Sequence, residues 1–345
     1  MNHKSISVVI TVGENEPYLE QTIANIKNNI ACKHEIIVVY DGQQPNNDLP
    51  VDQIIHLKSC RGVGPARHVG IKIAKHSLIF LTDAHMDFSN GFGKTILDWH
   101  NQSKVASESH LSCGRSIGLV RAGDELKRDT SHNATGARFS FKSIESENQH
   151  WIMSGKWAKQ NVNGLIGCVY GACYAFSKKW YKAIGEPLAL LRGWGMDEEY
   201  LSAATWFAGG RVVLLDYEAA HFFKNKKSGD VPEAVKRQFL INQLLFLNLL
   251  PLPEADRKNL QEWLNLNTLL SGHSIEATKT IQTAMTLWKS WEWNKLEPWI
   301  DYTTALITMP GPLNNPIHKR KQATLLNLSV PKQSRYVPRL KRKAV

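Results

Sequence analysis

The segment Thr82-Asp83-Ala84-His85 closes a short apolar run, and Asp87 stands two residues further on. Asp83 and His85 occupy positions i and i+2, so in an extended segment both side chains point to the same side. A carboxylate and an imidazole placed together can hold a divalent cation, and this mixture suits Mn2+ better than Mg2+. Such an ion would neutralise a diphosphate and assist its departure as a Lewis acid. Taken alone, the pair also describes a strand-ending turn with a surface histidine.

Two further constellations bear on the same chemistry. Trp194-Gly195-Met196-Asp197-Glu198-Glu199 places three acids at the start of a helix. The helix dipole favours negative charge there, so decoration of a helix start is one reading. The other is chemical: Asp197 or Glu198 could act as general base toward an acceptor hydroxyl or hold a sugar hydroxyl. His221 is expected just after a strand, in Ala-Ala-His-Phe-Phe-Lys, and Lys224, Lys226 and Lys227 follow, with Gly229 permitting a bend. A short basic segment beside a metal ligand could close over a diphosphate. A solvated charged loop is the plainer alternative.

These residues need elements to position them, and the first hundred residues supply an alternating pattern. Short β-branched runs at 7–12, 34–40, 53–57 and 78–81 predict strands, and 17–30 and 64–75 carry helical spacing. Such alternation predicts an α/β fold with a mainly parallel sheet covered by helices. Ligands bind beyond the carboxyl ends of such strands, which directs attention to Thr11–Glu16, Asp41–Gln43 and Asp83–Asp87. The polar stretch 120–165 predicts a long loop or lid. A strand is expected over 167–176, helices over 178–184 and 197–207, and a strand over 211–216. Beyond Val231 the spacing becomes purely helical, near 232–250, 254–270 and 275–296. A boundary near Gly229–Pro232 therefore divides a domain over 1–230 from a helical accessory or acceptor region over 231–310 and a basic extended tail over 311–345. In the helical region Trp288, Trp291 and Trp299 fall near one face and are expected in a core, whereas Trp293 breaks that face.

Composition bounds the class. At 43% hydrophobic and 21% charged residues the chain is a folded, not a disordered, protein. Five scattered cysteines argue against a disulfide framework and fit a reducing compartment. The opening residues lack the pattern of a signal peptide, and the longest apolar run, 239–252, is interrupted by Asn242, Gln243 and Asn248. A soluble, cytoplasmic location is expected, in the host cytoplasm if the protein is phage-encoded.

In order and spacing these segments resemble nucleotide-sugar glycosyltransferases of the GT-A fold, in particular polypeptide N-acetylgalactosaminyltransferases, with a broader similarity to family 2 glycosyltransferases. SVVITVGENEPYLEQTI resembles their first strand and helix, including Thr11, and VVYDG resembles the strand ending in a uridine-contacting aspartate, here Asp41. GVGPARHVGIKIAKHSLIFLTDAHMDF resembles the stretch ending in the metal-binding Asp-x-His. The resemblance implies that Asp83 and His85 bind metal and that Arg67 lies on the nucleotide side. WGMDEEYLSAATWFAGGRVVLLDYEAAHFFK resembles the second half of the site, implying that Trp194 faces the donor, His221 completes the metal shell and Lys224 meets the diphosphate. It covers roughly residues 5–226. Where relatives carry Trp-Gly-Gly-Glu-Asn this chain has Trp-Gly-Met-Asp-Glu, which leaves retention or inversion open. Nothing after residue 231 resembles their lectin domain.

The charge is uneven. Lys and Arg number 42 against 31 Asp and Glu, giving +11, yet no acid follows Asp301 while nine basic residues do, so 11 − 9 leaves +2 for residues 1–301. A tail of this kind resists packing and offers sequence-independent affinity for phosphates, hence for nucleic acid; attraction to anionic lipid head groups or a simple solubilising role are alternatives. The expectation is thus a Mn2+-dependent enzyme (Mg2+ being the other candidate ion) that moves a sugar from a UDP-sugar to a hydroxyl, best matched to a hydroxymethylated base in phage DNA. The same chemistry on a protein or glycan, and a non-enzymatic DNA-binding protein on a degenerate transferase fold, are the alternatives.

Overall fold

In the computed structural model the described residues are 3–14, 16–102, 110–123, 125–140, 154–157, 164–169, 172–224, 233–251, 279–292, 295–296 and 300–301. β1 (Ile6–Val12), β2 (His34–Asp41), β3 (Gln53–Leu57) and β4 (Leu78–Asp83) run parallel in the order β3-β2-β1-β4. Every residue of β1 is buried, which is why its sequence is an apolar run and not an alternation. Its two faces serve two cores. Ile6, Val8 and Ile10 pack with Leu19, Ile23 and Ile26 of α1 (Leu19–Asn29), while Val9 packs with Ala66 and Ile71 of α2 (Val63–Ile73). Gly70 permits the close approach of α2, since a Cβ there would lie 2.3 Å from Val9 Cγ1.

Past β4 the sheet becomes mixed. β5 is the short strand Met86–Phe88, and α3 (Phe92–Gln102) follows it. β6 (His110–Ala122) and β7 (Glu125–Ala134) form an antiparallel hairpin. β8 (Ala137–Ser140), β9 (Ser154–Trp157) and the late β12 (Ile300–Asp301) make a small separate sheet. β10 (Cys173–Ser177) lies antiparallel to both β4 and β6, and β11 (Arg211–Phe222) runs parallel to β6. The resulting order is β3-β2-β1-β4-β10-β6-β11-β5, with β7 paired to β6.

Three expectations are corrected. The stretch 120–165 is not one long loop: β7, β8 and β9 occupy much of its described part. Seven of the ten residues of β7 are exposed, so neither face imposes an apolar period and the strand reads as polar loop. The strand expected over 167–176 forms later, at Cys173–Ser177. β11 extends six residues beyond Asp216, so His221 lies within the strand and not after it.

α4 (Lys178–Ala183) is capped by Ser177, whose Oγ accepts from Trp180 N–H at 3.0 Å. α5 (Asp197–Phe207), α6 (Glu233–Leu249) and α7 (Lys279–Lys289) pack on the α2 side. Trp288 is wholly buried against Tyr200, Phe207 and Phe246, and Trp291 stacks on Phe207. Thus α6 and α7 share the core that covers the sheet. Trp293, Trp299, the helix expected over 254–270, the boundary near Gly229–Pro232 and the tail lie outside the described residues. Among the described residues no helix is long and apolar enough to cross a membrane.

Candidate functional site

The parallel strands bring three polar residues to one edge. Thr11 is buried near the end of β1 and is in register with both Asp83 and Val39, while Asp41 closes β2 opposite Leu57. After Asp83 the chain turns at Ala84–His85 and enters β5, which pairs with β11 so that Met86 faces His221. Phe222 N–H donates to the His85 carbonyl at 3.2 Å. This pairing joins residues distant in sequence: His85 Nε2 and His221 Nε2 lie 3.1 Å apart. Asp83 Oδ2 is 3.6 Å from His221 Nε2 and 4.0 Å from His85 Nε2. All three ligand atoms fall within 4.8 Å of one another.

The chemistry of this donor set fits a divalent cation. Both imidazoles aim the same nitrogen at one carboxylate, while His221 Nδ1 is buried without a hydrogen-bond partner among the described residues, so Nε2 is the atom this ring offers. Burial pushes the His221 imidazole below its ordinary pKa against the pull of Asp83, which keeps it neutral, the state a ligand requires. Burial alone would raise the Asp83 carboxyl, but the Arg67 guanidinium, with His221 and His85, holds it well below the usual carboxylate range.

Arg67, expected on the nucleotide side, is buried between the two acidic constellations. Its Nη2 donates to Asp83 Oδ1 at 2.7 Å and its Nη1 donates to Asp197 and to the Tyr174 hydroxyl. Tyr174 Oη in turn donates to Asp197 Oδ2 at 2.7 Å. Arg67 therefore reaches the metal cluster through Asp83, and its two-pronged geometry is what allows one cation to hold two carboxylates.

Asp41 organises a loop. Its carboxylate accepts from the backbone N–H groups of Arg61 and Gly62, each at 2.7 Å. Gly62, at φ +102, lies so close to Gly193 that a Cβ would sit 1.9 Å from the Gly193 carbonyl oxygen. Val63 N–H donates to that oxygen and Gly193 N–H donates to the Arg61 carbonyl. The strand-end aspartate is in this way connected to the Arg-Gly-Trp-Gly segment. From the other side Asn242 of α6 grips the same segment: its Nδ2 donates to the carbonyls of Arg192 (2.7 Å) and Gly195 (3.2 Å), and its Oδ1 accepts from Arg192 N–H. Trp194, held between these anchors, is 54% exposed, with its ring 5.6 Å from Phe239.

Asp197 opens α5 and is buried, and Glu198 is half-buried beside it. Burial, then repulsion from Asp197, pushes the Glu198 carboxyl well above its ordinary pKa. Met196, standing where the resembled motif carries glycine, takes a left-handed φ of +77 and is 2% exposed. Left-handed backbone costs roughly 1–2 kcal/mol for a non-glycine residue, less than the roughly 2–5 kcal/mol that a buried methionine side chain contributes to packing. The core contact thus offsets the strain.

Lys224 sits on the metal side, where its Nζ donates to Glu16 Oε1 at 2.6 Å. The other oxygen of Glu16 accepts from His85 Nδ1 at 2.7 Å. Glu16, Tyr174 and Asn242 are site residues that no sequence motif singled out. Glu16 lies in the segment flagged after β1, but its partners at 85 and 224 are visible only once the strands pair. Tyr174 and Asn242 read as ordinary members of a strand and an apolar helix.

Known proteins share the sequence pattern and the fold. The sequence model described as glycosyl transferase family 2 matches residues 7–185, just over half of the chain. Polypeptide N-acetylgalactosaminyltransferase 3 of Drosophila melanogaster is 23% identical over 166 residues, which are 47% of this chain and 24% of that protein. A crystal structure of GalNAc-T7 with UDP, GalNAc and Mn2+ superposes with a TM-score of 0.61 at 15% identity, covering 90% of this chain and 59% of that one. The chain therefore spans about a quarter of the first relative's length and under two thirds of the second's.

Proposed function

From the premise that this chain belongs to glycosyl transferase family 2 and has a GT-A fold, we propose that it moves a sugar from a UDP-sugar to an acceptor hydroxyl with Mn2+ held by Asp83, His85 and His221. The convergence of those three side chains at the carboxyl edge of the parallel strands carries the reading. Bound there, the ion would supply charge neutralisation to the departing diphosphate. Thr11 and Asp41 line the nucleotide end of the same edge, Asp41 through the loop it fixes at Arg61 and Gly62. Lys224 stands on the diphosphate side. Trp194, in the segment tied to the loop that Asp41 holds, offers an exposed ring against which a sugar or acceptor can lie. Asp197 is anchored by Arg67 and Tyr174, and Glu198, whose carboxyl pKa burial and Asp197 push upward, stands beside it where it can meet a sugar or acceptor hydroxyl. UDP-sugar turnover that survives Asp83→Ala and His221→Ala unchanged would remove the metal assignment.

For the acceptor, the nine basic residues after Asp301 favour nucleic acid, and a hydroxymethylated base in DNA, as a phage enzyme would modify, supplies the hydroxyl. A protein acceptor is the second reading, favoured by the similarity to a polypeptide N-acetylgalactosaminyltransferase. Mass spectrometry of hydroxymethylated DNA and of peptides, after incubation with a panel of UDP-sugars and Mn2+, separates the two. Truncation after residue 310 should weaken DNA modification and leave peptide modification unaffected.

A further inference from the structure

The carboxylate of Glu16 lies against the outer side of the metal cluster, where no motif placed it. Its side chain is 9% exposed, so its charge needs partners, and it has two: His85 Nδ1 at 2.7 Å on one oxygen and Lys224 Nζ at 2.6 Å on the other. An ionised carboxylate only accepts, so the proton of this contact is on His85 Nδ1. That fixes the tautomer, leaves the lone pair on Nε2, and holds the ring with Nε2 toward His221 and Asp83. Among the described residues His221 has no equivalent hydrogen bond: its Nδ1 is buried without a partner. The hydrogen bond that orients the pair from behind therefore comes from Glu16, while Phe223 packs edge-on against the His221 ring at 4.4 Å.

We infer that Glu16 is the positioning residue of the metal site, fixing the tautomer and rotamer of His85 while tying down the lysine that follows β11. Its contacts are with His85 and Lys224, so it acts through His85, as carboxylates behind metal-bound histidines do. The inference rests on the metal reading above, and its test keeps the two apart.

The full chain is titrated with Mn2+ alone by calorimetry, as wild type, Asp83→Ala, Glu16→Ala and Glu16→Gln, with histidine side-chain 15N spectra recorded before metal is added. Glu16→Met, which keeps bulk but accepts no hydrogen bond, replaces Glu16→Ala if the latter does not fold. Wild type is expected to bind and Asp83→Ala not to. Loss of the acceptor should weaken Mn2+ about 10- to 100-fold. The His85 signal should change from a single Nδ1-protonated tautomer to a mixture. Glu16→Gln, whose amide oxygen still accepts from Nδ1, should restore the single tautomer and most of the affinity. A folded Glu16→Ala or Glu16→Met protein with wild-type affinity and an unchanged 15N spectrum overturns the inference and leaves the metal site standing. Absence of Mn2+ binding in wild type, or equal binding in Asp83→Ala, overturns the metal reading and this inference with it.

Discussion

His85 and His221 meet Nε2 to Nε2 at 3.1 Å across 136 residues of sequence, and the antiparallel pairing of β5 with β11 brings them there. A carboxylate within 4.0 Å of both makes the arrangement a ligand set.

His221→Ala is the cleanest test of that set, because it leaves the Arg67–Asp83 ion pair untouched. Mn2+ affinity should fall at least about tenfold, and kcat/KM with a UDP-sugar on the order of a hundredfold, about 3 kcal/mol of transition-state stabilisation. Calorimetry and steady-state kinetics read the two effects separately. An unaltered Mn2+ isotherm would refute the assignment.

Arg67→Met should destabilise the fold. It leaves the buried Asp197 and the partly buried Asp83 without their shared cation, a change that costs about 3–5 kcal/mol where buried pairs are broken. Arg67→Lys should recover little, since one ammonium cannot present two separate N–H groups to two carboxylates in this geometry. Urea unfolding at neutral pH measures both. A midpoint unchanged by Arg67→Met would show that the pairs contribute nothing net.

Glu198→Gln should be more stable than wild type at neutral pH. The folded-state pKa of Glu198 is raised above its unfolded value of about 4.5, so the folded chain binds the proton more tightly. Its stabilising share is present below that unfolded pKa and is lost as pH rises toward the folded one. The advantage of glutamine should therefore grow on going from pH 4 to pH 8 and vanish at the acid end. A difference that is flat with pH would mean the fold does not raise the Glu198 carboxyl.

His100 predicts the opposite slope. Burial, with the charges of His3 and His110, lowers its pKa from 6.5 to about 3, so in that window the unfolded chain takes up a proton that the folded chain refuses. Stability should fall as pH drops below about 6.5, by at most about 1.4 kcal/mol per pH unit from this residue. His100→Gln keeps a polar contact to Ser112 within reach and should flatten that part of the profile. An identical acid slope in the variant would contradict the assignment.

What the sequence determined is the set of parts. β-branched runs gave β1, β2 and β4, because strands buried on both faces must be apolar throughout, and a shorter such run gave the edge strand β3. The family pattern added the identity of Asp83, His85 and His221 as a group. Sequence could not determine β7, whose exposed faces impose no period, or the true end of β11.

Only the tertiary structure decided how the parts meet. Arg67 lies on a helix whose approach depends on Gly70, and nothing local says that its guanidinium will join Asp83 to Asp197. Nor does any motif announce that Glu16 will face His85 and Lys224. Periodicity reports which face of an element is buried. Which residue of a distant element lies opposite is fixed by strand register and helix packing, and these belong to the whole chain.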